Sequence, residues 1–123
     1  MKIREIAEVL EAELLTPGAD LDREVHNACG SDMMSDVLAF VKNQAVLLTG
    51  LTNPQVVRTA NMMDMVCIVF VRGKRPDKAV LALAEDMGIE VMASDHTMFT
   101  ACGLLYEKGL RGGARCTGPG DES

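Results

Sequence analysis

Seven consecutive residues, Met65-Val66-Cys67-Ile68-Val69-Phe70-Val71, are apolar without a break. A strand with one wet face would alternate, so this run predicts a strand covered on both faces, in the interior of a sheet. It is one of four short apolar runs, the others being Val25 to Cys29, Ala45 to Leu48 and Ile89 to Ala93. Each is followed by polar or glycine-containing punctuation that opens a helical segment: Ser31-Asp32, Thr52-Asn53-Pro54, Arg75-Pro76-Asp77 and Ser94-Asp95. Strands alternating with helices of this length predict a single α/β domain, a mostly parallel sheet of at least four strands with helices packed on it. In such a sheet the four turns fall on one edge, where helix N-termini point outward and ligands tend to bind.

The flanking segments follow from periodicity and turn chemistry. Ile3, Ile6, Ala7, Val9 and Leu10 recur at helical spacing, so the first dozen residues read as an amphipathic helix. Leu14-Leu15 suits a very short strand before a reversal at Thr16-Pro17-Gly18. Leu21 to Cys29 reads as the first main strand, and Asp32 to Lys42 as a helix with Ser31 or Asp32 at its N-cap. Asn53 followed by Pro54 opens a helix to about Met63, with proline at the first helical position. Pro76 to Met87 is a helix stopped by Gly88, and Asp95 to Lys108 a last helix followed by Gly109. From Arg111 onward too few apolar groups remain to offset ordering, so the domain is expected over residues 1–110 and a disordered tail over 111–123.

At 123 residues, 48% of them hydrophobic, the chain is long enough for one domain with its own core. A formal net charge of −6 argues against nucleic acid and anionic membrane as partners, since both call for a basic footprint. No apolar stretch approaches the roughly 20 residues of a spanning helix. The start, Met1-Lys2-Ile3-Arg4-Glu5, is amphipathic and charged rather than signal-like, and a cytoplasmic location is expected. Cys29, Cys67, Cys102 and Cys116 form no C-x-x-C pair and only two histidines are present, so neither a zinc site nor a cofactor is expected. Cys29 and Cys67 read as buried reduced thiols, and Cys116 falls in the tail. Nine methionines stand against four aromatic residues; Met33, Met34, Met62, Met63 and Met65 suit flexible core filling, or else an adaptable protein-binding surface.

There is no G-x-G-x-x-G, no phosphate loop and no G-x-S-x-G elbow. Asp32 and Asp36, four apart, fall near one helix face, which could hold a divalent cation or accept protons; helix capping and first-turn charge explain them more simply. Thr49-Gly50-Leu51-Thr52-Asn53 is the most site-like turn, because small hydroxyl and amide groups beside a helix N-terminus can hold phosphate or carboxylate oxygens. The same residues also serve a capped turn. Ser94-Asp95-His96-Thr97 is its counterpart after the last strand. His26 reads as structural, and Asp22-Arg23-Glu24 as local or intersubunit ion pairs. The expected ligand-binding set is Ser31, Asp32, Thr49, Thr52, Asn53, Ser94, Asp95 and His96, with Lys74 and Arg75 available to offset the nearby carboxylates; no catalytic or metal-ligating set is expected.

The order of these elements resembles the DRTGG domain, a module related in fold to the N-terminal domains of HPr kinase/phosphorylase. The resemblance rests on Leu21-Asp22-Arg23-Glu24-Val25, Ser31-Asp32-Met33-Met34-Ser35-Asp36-Val37, the strand Val66 to Val71, Gly73-Lys74-Arg75-Pro76-Asp77 and the closing Phe99 to Leu110. It spans roughly residues 1–110. Family members typically follow the aspartate-arginine pair with threonine-glycine-glycine, whereas this chain has His26-Asn27-Ala28-Cys29-Gly30, retaining a single glycine.

The resemblance implies a non-catalytic regulatory or assembly domain that supports dimerisation. Such domains stand alone, or are joined to phosphotransacetylases and to the CBS pairs of regulated pyrophosphatases, where adenine nucleotides bind the CBS part. Stand-alone versions are often encoded near redox or hydrogenase genes in anaerobes. The expectation is a homodimer serving a metabolic or redox enzyme and sensing a nucleotide or small anion. The alternatives are an enzyme acting on a phosphorylated metabolite at the strand C-terminal edge, and a structural interaction protein without a ligand.

Overall fold

The computed structural model describes residues 1–17, 20–39 and 43–112. Among them lie strands β1 (Glu13–Leu14), β2 (Asn27–Gly30), β3 (Ala45–Thr49), β4 (Met65–Phe70) and β5 (Glu90–Ala93). The helices are α1 (Ile3–Leu10), α2 (Met34–Leu38), α3 (Pro54–Met62), α4 (Lys78–Asp86) and α5 (Met98–Glu107). They build one five-stranded sheet in the order β1-β5-β4-β3-β2. β2, β3, β4 and β5 run parallel, and only β1 is antiparallel, against β5. The continuously apolar run thus lies at the centre, and every one of its six strand residues is buried.

Two apolar layers cover that strand. On one side Ile3, Ile6 and Leu10 of α1 and Leu105 of α5 pack with Val46, Leu48, Cys67, Val69 and Met92. On the other, Val56, Val57 and Ala60 of α3 and Val80 and Ala84 of α4 pack with Leu47, Ile68, Phe70 and Val91. The β3–β4 register slips between Ala45 and Val46, which are opposite Met65 and Cys67, so Val66 is the extra residue. That bulge lets consecutive Val66 and Cys67 both serve the α1/α5 layer. Burial, with a smaller contribution from the Glu90 carboxylate, pushes the Cys67 thiol far above its ordinary range. As a folded-state nucleophile it is inert.

Several boundaries differ from the sequence reading. The first main strand begins at Asn27, not Leu21. The preceding residues spend their backbone groups on the N-terminus: Arg4 donates to the Leu21 carbonyl (2.8 Å), Ile3 to that of Arg23 (3.1 Å), and Val25 donates to that of Met1 (2.7 Å). α2 begins at Met34, with Met33 at the N-cap position and no side-chain cap. Ser31 instead accepts from the Met33 amide at 3.0 Å, and Asp32 is used elsewhere. α4 starts at Lys78, capped by Asp77, which accepts from Val80 at 3.0 Å. α5 starts at Met98 behind the cap Thr97, because Ser94 is drawn inward.

Gly88 ends α4 with φ +70, where a side chain would be strained. Gly30 is needed for space: a Cβ there would meet the Cys102 sulfur of α5 at 2.6 Å. The tail expectation covers mostly residues 113–123, which lie outside the described residues, as does Cys116. Arg111 is described and takes part in the sheet margin, accepting from the Ala28 amide at 2.9 Å. No helix among the described residues is long and apolar enough to cross a membrane.

The layered packing makes β4 the most sensitive element. Phe70→Ala, at a fully buried position, should cost about 3–5 kcal/mol in urea unfolding. Met62→Ala, at a side chain 69% exposed on α3, should stay within about 0.5 kcal/mol.

Candidate functional site

Parallel strands deliver the ends of β2, β3, β4 and β5 to one edge, and the side chains there bind one another. Asp32, just past β2, accepts through Oδ1 from the Gly50 amide (2.7 Å) and the Thr49 hydroxyl (3.1 Å) at the end of β3. Thr49 Oγ in turn accepts from the Leu51 amide at 3.1 Å. The Arg72 guanidinium reaches across from the end of β4 to Asp32 Oδ2 at 3.5 Å. It lies where a Cβ on Gly50 would stand, so the glycine makes room for the arginine. Arg72 has φ +60, a left-handed conformation that costs a non-glycine residue about 1–2 kcal/mol. Its ion pair is 45% and 43% exposed, and exposed pairs contribute about 0–1 kcal/mol. The pair therefore offsets at most part of the strain.

At the end of β5 the turn is fastened to the rest of the edge through backbone. The Arg72 amide donates to the His96 carbonyl (2.8 Å) and the Gly73 amide to that of Ser94 (3.0 Å). Buried Ser94 donates its hydroxyl to the Leu10 carbonyl at 2.8 Å, tying β5 to the end of α1. His96 Nε2 lies 3.4 Å from Glu11 Oε1. Leu10, Glu11, Asp95 and His96 line an open cavity of about 340 Å³. A cavity of about 410 Å³ at the opposite end of β5 includes Thr16, Arg23, Glu85 and Glu90, and Glu90 accepts there from the Thr16 hydroxyl at 2.8 Å.

The model of the DRTGG domain family matches residues 5–107. The chain belongs to the DRTGG domain family. A solved structure of the CBS and DRTGG domains of the regulatory region of Clostridium perfringens pyrophosphatase, complexed with the activator diadenosine tetraphosphate, is similar in fold. The TM-score is 0.70 at 20% sequence identity, over 85% of this chain and 45% of that one. This chain thus spans less than half of that regulatory region. No protein of curated function matches the sequence significantly.

Within this DRTGG domain, the structure brings Asp32 and Thr49 into direct contact and joins Ser94 and His96 to them through the backbone of the intervening strand end: the Arg72 and Gly73 amides donate to the His96 and Ser94 carbonyls, and the Val71 amide donates to that of Thr49 at 2.9 Å. Ser31 is turned back on Met33. Asp95 is exposed, with Oδ1 3.2 Å from where a Cβ on Gly73 would lie. Asn53 sits at the N-cap of α3 but its side chain makes no cap hydrogen bond, and Thr52 makes none among the described residues either. Asp32 and Asp36 do not share a helix face, because Asp32 precedes α2. Among the described residues no three metal-ligating side chains gather at one point. Lys74 is exposed, and Arg75 points to β1, pairing with Glu13 at 2.9 Å.

Arg72 is the residue that sequence reasoning missed. Its signal was position: it is the first charged residue after the apolar run, directly before a glycine, on the edge already singled out. The contrast among these side chains is measurable by urea unfolding. Ser94→Ala strips the buried Leu10 carbonyl of its donor and should cost about 1–3 kcal/mol. Asn53→Ala removes no hydrogen bond and should change stability by less than about 0.5 kcal/mol.

Proposed function

We propose that this chain is a non-catalytic regulatory or assembly domain that works as a homodimer beside a metabolic or redox enzyme in the cytoplasm. Its family, and the place of a DRTGG domain in the regulatory region of a pyrophosphatase bound to an activator, support the regulatory part. On this reading the strand C-terminal edge, with Ser31, Asp32, Thr49, Thr52, Asn53, Ser94, Asp95 and His96, is where a nucleotide or small anion acts.

The observation that carries the assembly part is the outer face of α5. Phe99 is 88% and Tyr106 59% exposed, and they are two of only four aromatic residues in the chain. Between them Gly103 is exposed, with nothing within 4 Å of where its Cβ would be. Positions 99, 103 and 106 fall on one helical stripe. An antiparallel pairing of two α5 helices about a twofold axis at Gly103 would lay each Phe99 against the partner's Tyr106. Such a contact is self-complementary, as a twofold interface must be. It also sets exposed Asp95, before the helix, toward Lys108 and Arg111 of the partner, after it; Arg111 stacks on Tyr106 at 3.8 Å from the ring centroid. Exposed aromatic anchors flanked by charge are the chemistry of protein interfaces.

Sedimentation equilibrium tests this directly. The wild-type chain should dimerise at micromolar concentrations, and Phe99→Glu should weaken the dimer at least about tenfold, equivalent to about 1.4 kcal/mol. A wild-type chain that stays monomeric at tens of micromolar, or a Phe99→Glu dimer of unchanged affinity, would refute the α5 interface.

A further inference from the structure

We infer that Asp32 is the built-in occupant of an oxyanion site, and that a phosphoryl group takes its place and pairs with Arg72. The inference rests on the proposed ligand-sensing edge and names the receptor within it. Three donors of different kinds converge on the Asp32 carboxylate: the Gly50 amide at 2.7 Å, the Thr49 hydroxyl at 3.1 Å and the Arg72 guanidinium at 3.5 Å. A backbone amide, a hydroxyl and a guanidinium around one anion form a donor set that recognises phosphoryl oxygens equally well.

Two independent features maintain that set. Position 50 must lack a Cβ for the Arg72 guanidinium to lie where it does. Arg72 itself holds a left-handed backbone with φ +60, anchored by its amide on the His96 carbonyl. A conformation this uncommon for arginine, spent on an ion pair half open to water, is a reason to look for a role beyond folding.

The occupant, by contrast, is easily moved. Asp32 lies outside both β2 and α2, is 43% exposed, and caps no helix. Another carboxylate would merely exchange one set of hydrogen bonds for the same set. A phosphate dianion brings more charge and an oxygen for each donor, so it gains on exchange. Displaced Asp32, Asp95 beside Gly73 and exposed Asp36 oppose it, while exposed Lys74 favours it. Wild-type affinity is therefore weak, and removing the Asp32 carboxylate strengthens it.

The test is a titration with inorganic phosphate, and with acetate for comparison, followed by calorimetry and by the amide resonance of Gly50. Asp32→Ala should bind phosphate at least tenfold more tightly than wild type, with the Gly50 resonance moving and acetate much the weaker ligand. Asp32→Ala combined with Arg72→Gln should lose the binding. If Asp32→Ala does not fold, Asp32→Asn keeps the shape without the charge and should shift affinity in the same direction. Equal affinity of wild type and the Asp32 variants, or binding retained without Arg72, overturns the inference. A nucleotide that binds with Gly50 unmoved also overturns it while leaving the sensing reading intact. If neither phosphate nor a nucleotide panel binds any variant, both fail together.

Discussion

All six residues of β4 are buried, with helices packed on both faces of the strand, and the rest of the architecture follows from covering it. One layer of helices must pack on each side, so the chain crosses over between strands and those strands run parallel. The α1/α5 layer and the α3/α4 layer do this with separate sets of aliphatic side chains. Parallel strands with their crossovers bring the turns after β2, β3, β4 and β5 to a common edge. The meeting of Asp32, Thr49, Gly50 and Arg72 is thus a consequence of burying Cys67 to Phe70.

Much of this was legible in the sequence because apolar runs mark strands whatever their neighbours do. Ala45 to Leu48, Met65 to Val71 and Ile89 to Ala93 each became a strand within a residue or two. Hydrophobic pattern carries no information about which backbone takes which partner, and that is where the reading slipped. Leu21 to Val25 passes for strand by its residue types, yet Leu21 and Asp22 lie in a turn and the segment's carbonyls and amides are used by Met1, Ile3 and Arg4. Capping residues misled for a related reason: Asp32 and Ser94 are good caps in isolation, but each found a stronger tertiary partner, Gly50 and Leu10. Arg72 escaped because its direction depends on a left-handed φ that nothing in the sequence announces.

The proposed ligand edge and the proposed interface are physically connected. The Arg72 amide is bound to the His96 carbonyl, and His96 immediately precedes Thr97, the cap of α5. A shift of the Arg72 backbone would act on the turn that leads into α5, whose outer face carries Phe99 and Tyr106. On the proposed reading, this hydrogen bond and short turn would link what the domain senses to what it assembles with.

The central claim is that the Asp32–Arg72 pair exists for recognition and adds little to folding. A double-mutant cycle of Asp32→Asn and Arg72→Gln, read by urea unfolding, isolates their mutual contribution to stability. The account predicts a coupling below about 0.5 kcal/mol, as for other exposed pairs. A coupling of about 2 kcal/mol or more would make the pair a structural fastening and contradict the account.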